Sequence, residues 1–145
     1  QFDLSKPVYV ESESSSIGNL QLPSCLWRLM TRSPMITIEA PVAARAHYLL
    51  GGYHHLLTDK TDMMKLIKGM RHRHGVAITQ NWQAFFDAED WLELAKALLT
   101  DHYDPAYDSS VGRHAREVRA TLIQKDCLPQ TIAQTADAIL ALKAS

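Results

Sequence analysis

The sequence predicts an α/β fold with a small parallel-sheet front and a mostly helical back. Three observations carry that prediction. Two short β-type runs, Pro7 to Val10 and Met35 to Glu39, flank a stretch of helical periodicity. Beyond Pro41 the apolar spacing turns to three and four residues and stays there. The 145 residues, 46% hydrophobic and 21% charged, have the composition of one globular domain with room for a real core.

Each element follows from its residues. Pro7-Val8-Tyr9-Val10 is β-branched and aromatic and too short for a buried helix, which predicts a strand. It runs into the acidic, serine-rich stretch Glu11-Ser12-Glu13-Ser14-Ser15-Ser16. Pro23 opens a predicted helix in which Cys25, Leu26, Leu29 and Met30 share a face. Met35-Ile36-Thr37-Ile38-Glu39 is the second strand, ended by Ala40-Pro41, and strand, helix, strand at this spacing reads as a right-handed βαβ unit. Helical stripes follow at Val42, Ala46, Leu49 and Tyr53, then at Met63, Leu66, Ile67 and Met70. Ile78, Trp82, Phe85 and Phe86 form a third, starting after His74-Gly75, and Trp91, Ala95, Leu98 and Leu99 a fourth with Asp87 as its N-cap.

Pro105 should hold Asp104 out of the α region, so His102 to Tyr107 reads as a loop that ends the fourth helix. Val111, Ala115, Val118 and Leu122 predict a further helix with an Arg-rich outer face, broken at Leu128-Pro129. Ile132, Ala136, Ile139 and Leu140 supply the last helix, with Thr131 and Gln134 at capping-box spacing or Pro129 as its first residue. A two-strand parallel sheet cannot bury both of its faces. Further strands are therefore expected from an upstream segment, an expectation that the lack of an initiator Met shares.

Fifteen Lys and Arg against sixteen Asp and Glu leave a formal net charge of −1, so a nucleic-acid partner would have to meet a local patch. Two cysteines, Cys25 and Cys127, signal neither a disulfide framework nor a zinc knuckle, which suits a reducing, cytoplasmic setting. No apolar run approaches the roughly 20 residues that span a bilayer, and the first residues lack a signal-peptide layout, so no membrane partner is expected.

Five groups of residues could carry chemistry. Ligands of open α/β sheets gather beyond the carboxyl ends of the strands. Glu11 and Glu13 fall at such an end, with Ser14 and then Gly18, whose lack of a side chain permits close backbone approach. Carboxylates there could hold magnesium for a phosphorylated ligand, and a solvated loop is the rival reading. Arg45, one turn into the helix after the second strand, could reach a phosphate. Lys65, Lys68, Arg71, His72, Arg73 and His74 form the densest basic stretch, suited to salt-sensitive, sequence-blind phosphate contacts or to an ordinary solvated helix face. Arg113, Arg116 and Arg119 form a second stripe. Tyr103, Asp104 and Tyr107 place two rings around an Asp-Pro turn, fit for a nucleobase, an isoprenoid chain or a neighbouring helix.

Other signals are weak. His54-His55 and His72/His74 lack zincin spacing, so no metal site is expected. Cys25 and Cys127 sit in apolar helical contexts typical of buried, inert thiols. No Ser-His-Asp arrangement and no G-x-x-x-x-G-K-[ST] cradle occur, and no catalytic residue is assigned to this chain.

Taken in order, Pro7-Val8-Tyr9-Val10-Glu11-Ser12-Glu13-Ser14, Ile17-Gly18 and Leu22-Pro23 resemble the middle of a tRNA 2-selenouridine synthase. Met35-Ile36-Thr37-Ile38-Glu39-Ala40-Pro41 with Arg45 resembles the following strand and helix, and His74-Gly75 and Tyr103-Asp104-Pro105-Ala106-Tyr107 keep the family's order. The resemblance spans residues 7 to 125. It implies the C-terminal part of a P-loop-type parallel-sheet domain followed by a mostly helical tail, with residues 1–58 completing the sheet domain and 59–145 forming a helical subdomain.

The family joins that domain to an upstream rhodanese-like domain carrying the catalytic cysteine. It acts on the wobble uridine of certain tRNAs, S-geranylating 2-thiouridine from geranyl diphosphate and then installing selenium from selenophosphate. The resemblance therefore implies a transferase fragment without the catalytic-cysteine domain or Walker A, inactive alone. Its partners would be tRNA and the upstream segments, its co-substrates selenophosphate and geranyl diphosphate, with magnesium as a further ligand. Cys25 and Cys127 match neither the position nor the context of the family's catalytic cysteine. A P-loop small-molecule kinase fragment and a non-catalytic helical adaptor are the alternatives.

Overall fold

The computed structural model describes residues 7–11, 14–52, 60–112 and 116–142. Its elements in chain order are β1 (Ser16–Ile17), β2 (Leu20–Gln21), α1 (Ser24–Arg32), β3 (Met35–Glu39), α2 (Val42–Gly52), α3 (Lys60–Gly69), α4 (Arg71–Asp87), α5 (Trp91–Leu98), α6 (Asp104–Gly112), β4 (Val118–Ile123) and α7 (Pro129–Ala141). A π-helical turn, Leu99–Tyr103, joins α5 to α6. The result is an α/β chain with a small parallel sheet and a dominant helical part, as its periodicity predicts.

The sheet is assembled differently from the expectation. β3 pairs in parallel with β4, from Met35 opposite Val118 to Glu39 opposite Ile123, with a register irregularity between Met35 and Ile36. Val118 to Ile123 is thus a strand and not the second half of an Arg-rich helix. Ala120 and Leu122 turn inward while Val118, Arg119, Thr121 and Ile123 are exposed, an alternation of two that the helical stripe had masked. Thr37 and Thr121 add a cross-strand hydroxyl pair at 2.8 Å. The strand of the back half therefore returns to the sheet of the front half.

Pro7 to Val10 forms no ladder and is not a strand. Its β-rich composition is met by lying along the surface, with the Tyr9 hydroxyl donating to the Ile139 carbonyl at 3.2 Å. The crossover between the parallel strands is accordingly the run α2 to α6, not the single helix α1. Before α1, β1 and β2 make a small antiparallel hairpin. Gly18 takes φ 57° at its first central turn residue, where type II′ turns favour glycine. α1 begins after Pro23 as predicted, but of its apolar face only Met30 is buried, and Cys25, Leu26 and Leu29 are exposed.

The core lies in the helical part. Ile67, Trp82, Phe86 and Leu94 cluster together, with Met63, Met70, Ile78, Phe85, Trp91 and Leu98 packed around them. Full burial of such side chains is worth about 1.5–3 kcal/mol each. Phe86 and Trp91 meet edge to face with centroids 5.6 Å apart. α5 is capped by Asp90, whose carboxylate accepts from the Glu93 N–H at 3.2 Å, and not by Asp87, which instead accepts from Gln83 within α4. α4 breaks at Gly75, whose φ 80° and ψ 176° lie in a region essentially open to glycine alone. The regular helix restarts after it, and the buried Thr79 hydroxyl donates to the Gly75 carbonyl at 2.8 Å.

His102 to Tyr107 is not a loop. Asp104 takes φ −61° and ψ −48°, fully helical. The wider π turn just before it replaces the α-type pairing that Pro105 would disrupt, and Pro105 then falls in the first turn of α6, where a missing N–H costs nothing. At the end of the chain Pro129 is the first residue of α7. The Thr131–Gln134 capping box does not form, because Asp126 accepts both the Leu128 N–H and the Thr131 hydroxyl. Those two hydrogen bonds, that of Thr131 first, lower the Asp126 pKa.

Candidate functional site

The carboxyl ends of β3 and β4 lie where Glu39-Ala40-Pro41 turns into α2, and the Gln124 N–H extends the ladder to the Glu39 carbonyl at 2.7 Å. Arg45 stands one turn into α2. Its Nε donates to the Ala40 carbonyl at 3.2 Å, and its two terminal nitrogens donate to the two Asp104 oxygens at 2.7 and 2.8 Å. This planar fork is the strongest arrangement an arginine makes with a carboxylate. The Asp104 hydrogen bonds raise the Arg45 pKa further, outweighing burial, so the guanidinium stays cationic. Side chains 29% and 33% exposed leave the pair facing a partly wet surface. Two residues chosen separately from the sequence are thus one unit.

An apolar cavity of about 320 Å³ lies between α2, α3, α5 and the π turn; Leu49, one turn beyond Arg45, and Tyr103, the chain neighbour of Asp104, line it, while Arg45 and Asp104 do not. Leu49 and Leu50 of α2, Met63 and Leu66 of α3, and Leu94 and Leu98 of α5 supply much of its wall. His102 and Tyr103 of the π turn complete the wall, and Asp104 follows them in the chain. Its volume falls within the range of about 300–1,000 Å³ typical of small-molecule pockets. Tyr103 and Tyr107, one helical turn apart, stack with centroids 6.4 Å apart and planes at 13°. They straddle two spaces, because Tyr107 lines a separate groove of about 630 Å³.

That groove holds the other predicted edge. Val8 to Glu11 borders it with Met30, Ile36, Arg116 and Arg119. Glu11 is exposed there, while Glu13 lies outside the described residues. Ser14 uses its hydroxyl to accept from the Ser16 N–H at 3.0 Å, and Gly18 serves the hairpin turn with nothing within 4 Å of a Cβ built on it. Arg45 instead bonds to Ala40 and Asp104 and does not line that groove, so the structure does not bring the Glu11 edge and Arg45 into one site.

The basic stretch is divided between two helices rather than spread on one face. Lys65 and Lys68 lie on α3, with Arg71, His72 and Arg73 on the first turn of α4, all exposed. Lys65 also pairs with Asp62 at 2.9 Å, an exposed contact of little energetic weight. The second arginine stripe is not helical: Arg113 lies outside the described residues, Arg116 precedes β4 and Arg119 is on it. The Arg116 Nε is buried and meets no hydrogen-bond acceptor among the described residues. Cys127 lies in the loop before α7, not in a helix, and Cys25 is exposed, so neither is the buried helical thiol expected.

The cavity itself escaped the sequence, as did the contacts that brace it: Trp82 to Asp101, and His74 to His102 at 2.9 Å. Of its lining leucines, Leu49, Leu66, Leu98 and Leu99 were legible only as members of helix stripes, and Leu50 and Leu94 not at all. No group of three or more His, Cys, Asp or Glu among the described residues could hold a metal ion, and His54 and His55 lie outside them. No described helix is long and apolar enough to cross a membrane.

Comparison with known proteins places this geometry in context. A family model described as the tRNA 2-selenouridine synthase AAA domain matches residues 2–75. A tRNA 2-selenouridine synthase of Psychromonas ingrahamii is 25% identical over 136 residues, covering 76% of this chain and 37% of that protein. The enzyme of the same name from Shewanella piezotolerans is 25% identical over 139 residues, covering 78% and 38%. That of Marinobacter nauticus is 28% identical over 141 residues, covering 77% and 38%. The chain therefore spans less than two fifths of these relatives' length. No solved structure matches it.

Proposed function

Since the chain belongs to the tRNA 2-selenouridine synthase AAA-domain family, we propose that it is the ligand-binding C-terminal part of a P-loop-type domain in a tRNA-modifying transferase. The whole enzyme would S-geranylate the wobble 2-thiouridine of tRNA from geranyl diphosphate and then exchange sulfur for selenium from selenophosphate. This portion supplies binding surfaces and is inactive alone. The catalytic cysteine and phosphate cradle belong to the rest of the enzyme, which works in the cytoplasm.

One observation carries the reading: an apolar cavity whose lining residues Leu49 and Tyr103 neighbour the Arg45–Asp104 pair, which stands one turn into the helix that follows β3. Geranyl diphosphate has the matching division. Its hydrocarbon chain takes the leucine-lined cavity, burial that brings about 25 cal/mol per Å². Its diphosphate lies toward Arg45, which Asp104 holds in place. Tyr103 closes the boundary between the two. Lys65, Lys68, Arg71 and Arg73 offer a cationic strip for the tRNA backbone, and Glu11 with Glu13 remains a proposed magnesium edge. The matched family model favours this reading over the kinase alternative.

Calorimetry with geranyl diphosphate, geraniol and inorganic diphosphate tests this reading. Leu66 lines the cavity and is 55% exposed, so Leu66→Asp charges the site without opening the core. The diphosphate ester should bind best and lose at least tenfold in affinity in Leu66→Asp, while Arg45→Ala weakens the ester and spares geraniol. A folded chain that binds neither geranyl compound contradicts the proposal. For tRNA, removing one phosphate-binding cation, as in Lys65→Ala or Arg71→Ala, should flatten the log–log salt slope by about 0.7–0.9.

A further inference from the structure

Two histidines separated by 28 residues meet beside the cavity. His74 Nε2 and His102 Nδ1 stand 2.9 Å apart, with the rings edge-on at a centroid distance of 4.8 Å. His74 is the last residue before the Gly75 break of α4, and His102 lies in the π turn. The His74 ring also rests on Trp82, centroids 5.1 Å apart, and the fully buried Trp82 donates its indole N–H to Asp101 Oδ2 at 3.1 Å. Two adjacent links therefore tie the π turn to α4. The turn in question supplies Leu99, His102 and Tyr103 to the cavity wall.

The two links respond differently to protons. The indole–carboxylate bond involves no imidazole nitrogen. An imidazole–imidazole bond needs one unprotonated nitrogen, and it fails when both rings are cationic. The charges around it favour failure rather than rescue. From α4, Arg73 and His74 face His102. From the π turn, Asp101 has one oxygen committed to Trp82. On the next turn and on α2, Asp104 and Arg45 neutralise one another. Burial first, then His74 and Arg73, lower the His102 pKa below its ordinary 6.5.

We propose that the His74–His102 hydrogen bond is a pH-sensitive latch that fastens the π turn, and with it one wall of the apolar cavity, to the broken start of α4. The direction follows from proton linkage. A histidine whose folded pKa is lowered takes up protons more readily once released. Its stabilising contribution is complete above 6.5 and is lost as pH falls from there through the folded value. Acidification should loosen the π turn before it unfolds the core. The latch deepens the cavity reading above by giving that site a control, and it depends on that reading only for what the cavity holds.

The test compares the chain with His102→Asn, His74→Asn and, as a control, His47→Asn, which alters an exposed residue of α2. Thermal midpoints at pH 7.5 and 5.5 report the latch, and binding of the neutral apolar dye N-phenyl-1-naphthylamine reports the cavity. The wild type and the control should lose about 2–4 °C more on acidification than either latch variant. The dye should bind severalfold more weakly to the wild type at pH 5.5, and equally at both pH values to His102→Asn. Identical midpoint profiles in all four proteins overturn the latch. Dye binding absent at both pH values, with the midpoint difference kept, sinks the cavity reading and leaves the latch standing. Should the variants fail to fold, the imidazole C2–H titration of the wild type decides. A midpoint for His102 below its ordinary 6.5 supports the latch, and one at 6.5 or above overturns it.

Discussion

The helical part and the sheet part of this chain treat their apolar residues in opposite ways. Between α3 and α5 the large side chains are enclosed: Ile67 is 1% exposed, Trp82 0% and Leu94 3%. In the front the same residue types face outward, with Leu20 72%, Leu29 65% and Ile123 81% exposed. Both regions carry the periodicity of a buried element, so composition does not separate them. The number of packed layers does. Three helices close on each other, whereas two parallel strands have two faces to cover and only the neighbouring segments to cover them. The helical part is a self-sufficient core with a cavity at its margin. The sheet part is a surface that the proposed whole enzyme would cover with further strands.

That contrast sets the order of expected mutational effects. Trp82→Ala should be the most damaging, removing the largest buried side chain and its bond to Asp101, at about 3–5 kcal/mol in chemical denaturation. A loss below 1 kcal/mol would mean that the helical core is not where stability resides. Gly75→Ala should cost about 1–3 kcal/mol from backbone conformation. Sterics add nothing, because no atom lies within 4 Å of the added Cβ. Asp90→Ala should cost about 1 kcal/mol through loss of the α5 cap, while Asp87→Ala, at the position that the sequence suggests as the cap, should cost less. Ile123→Ser should shift stability by no more than about 0.5 kcal/mol. A large loss there would erase the contrast by showing that the sheet face is already covered.

The same contrast explains which parts of the fold were legible. α3, α4 and α5 repeat their apolar residues over enough turns for periodicity to speak clearly, and β3 is short, β-branched and ended by Pro41. β4 was hidden because Val118 and Leu122 also fit a helix stripe. Its strand character comes from a partner about eighty residues away, as the Thr37 to Ala120 contact, 83 positions apart, shows. Pro105 misled for a local reason: a π turn supplied the slack that a regular helix lacks. The Pro7 to Val10 run has strand composition but no ladder, since propensity reports fitness for a sheet and not the presence of a neighbour.

The candidate site divides along the same line. Arg45, Tyr103 and Asp104 were visible as residue types at suggestive places, yet the 59 positions between Arg45 and Asp104 concealed that they form one bidentate pair. The cavity was invisible because its lining, Leu49, Leu66, Leu98 and their neighbours, looks like ordinary core in sequence. The Glu11 to Gly18 stretch was prominent in sequence, but its described residues border a different groove or serve a hairpin.

The most direct test of the cavity as the ligand site is a backbone amide NMR titration of the chain with geranyl diphosphate. Binding in the cavity should give saturable shifts concentrated at Leu49, Leu50, Leu66, Leu98 and Tyr103, together with the Arg45 Nε–H resonance, and little change at Ile36 or Arg119. Shifts confined to the groove beside β3, or spread over the basic residues Lys65 to Arg73 without touching the leucines, would contradict it.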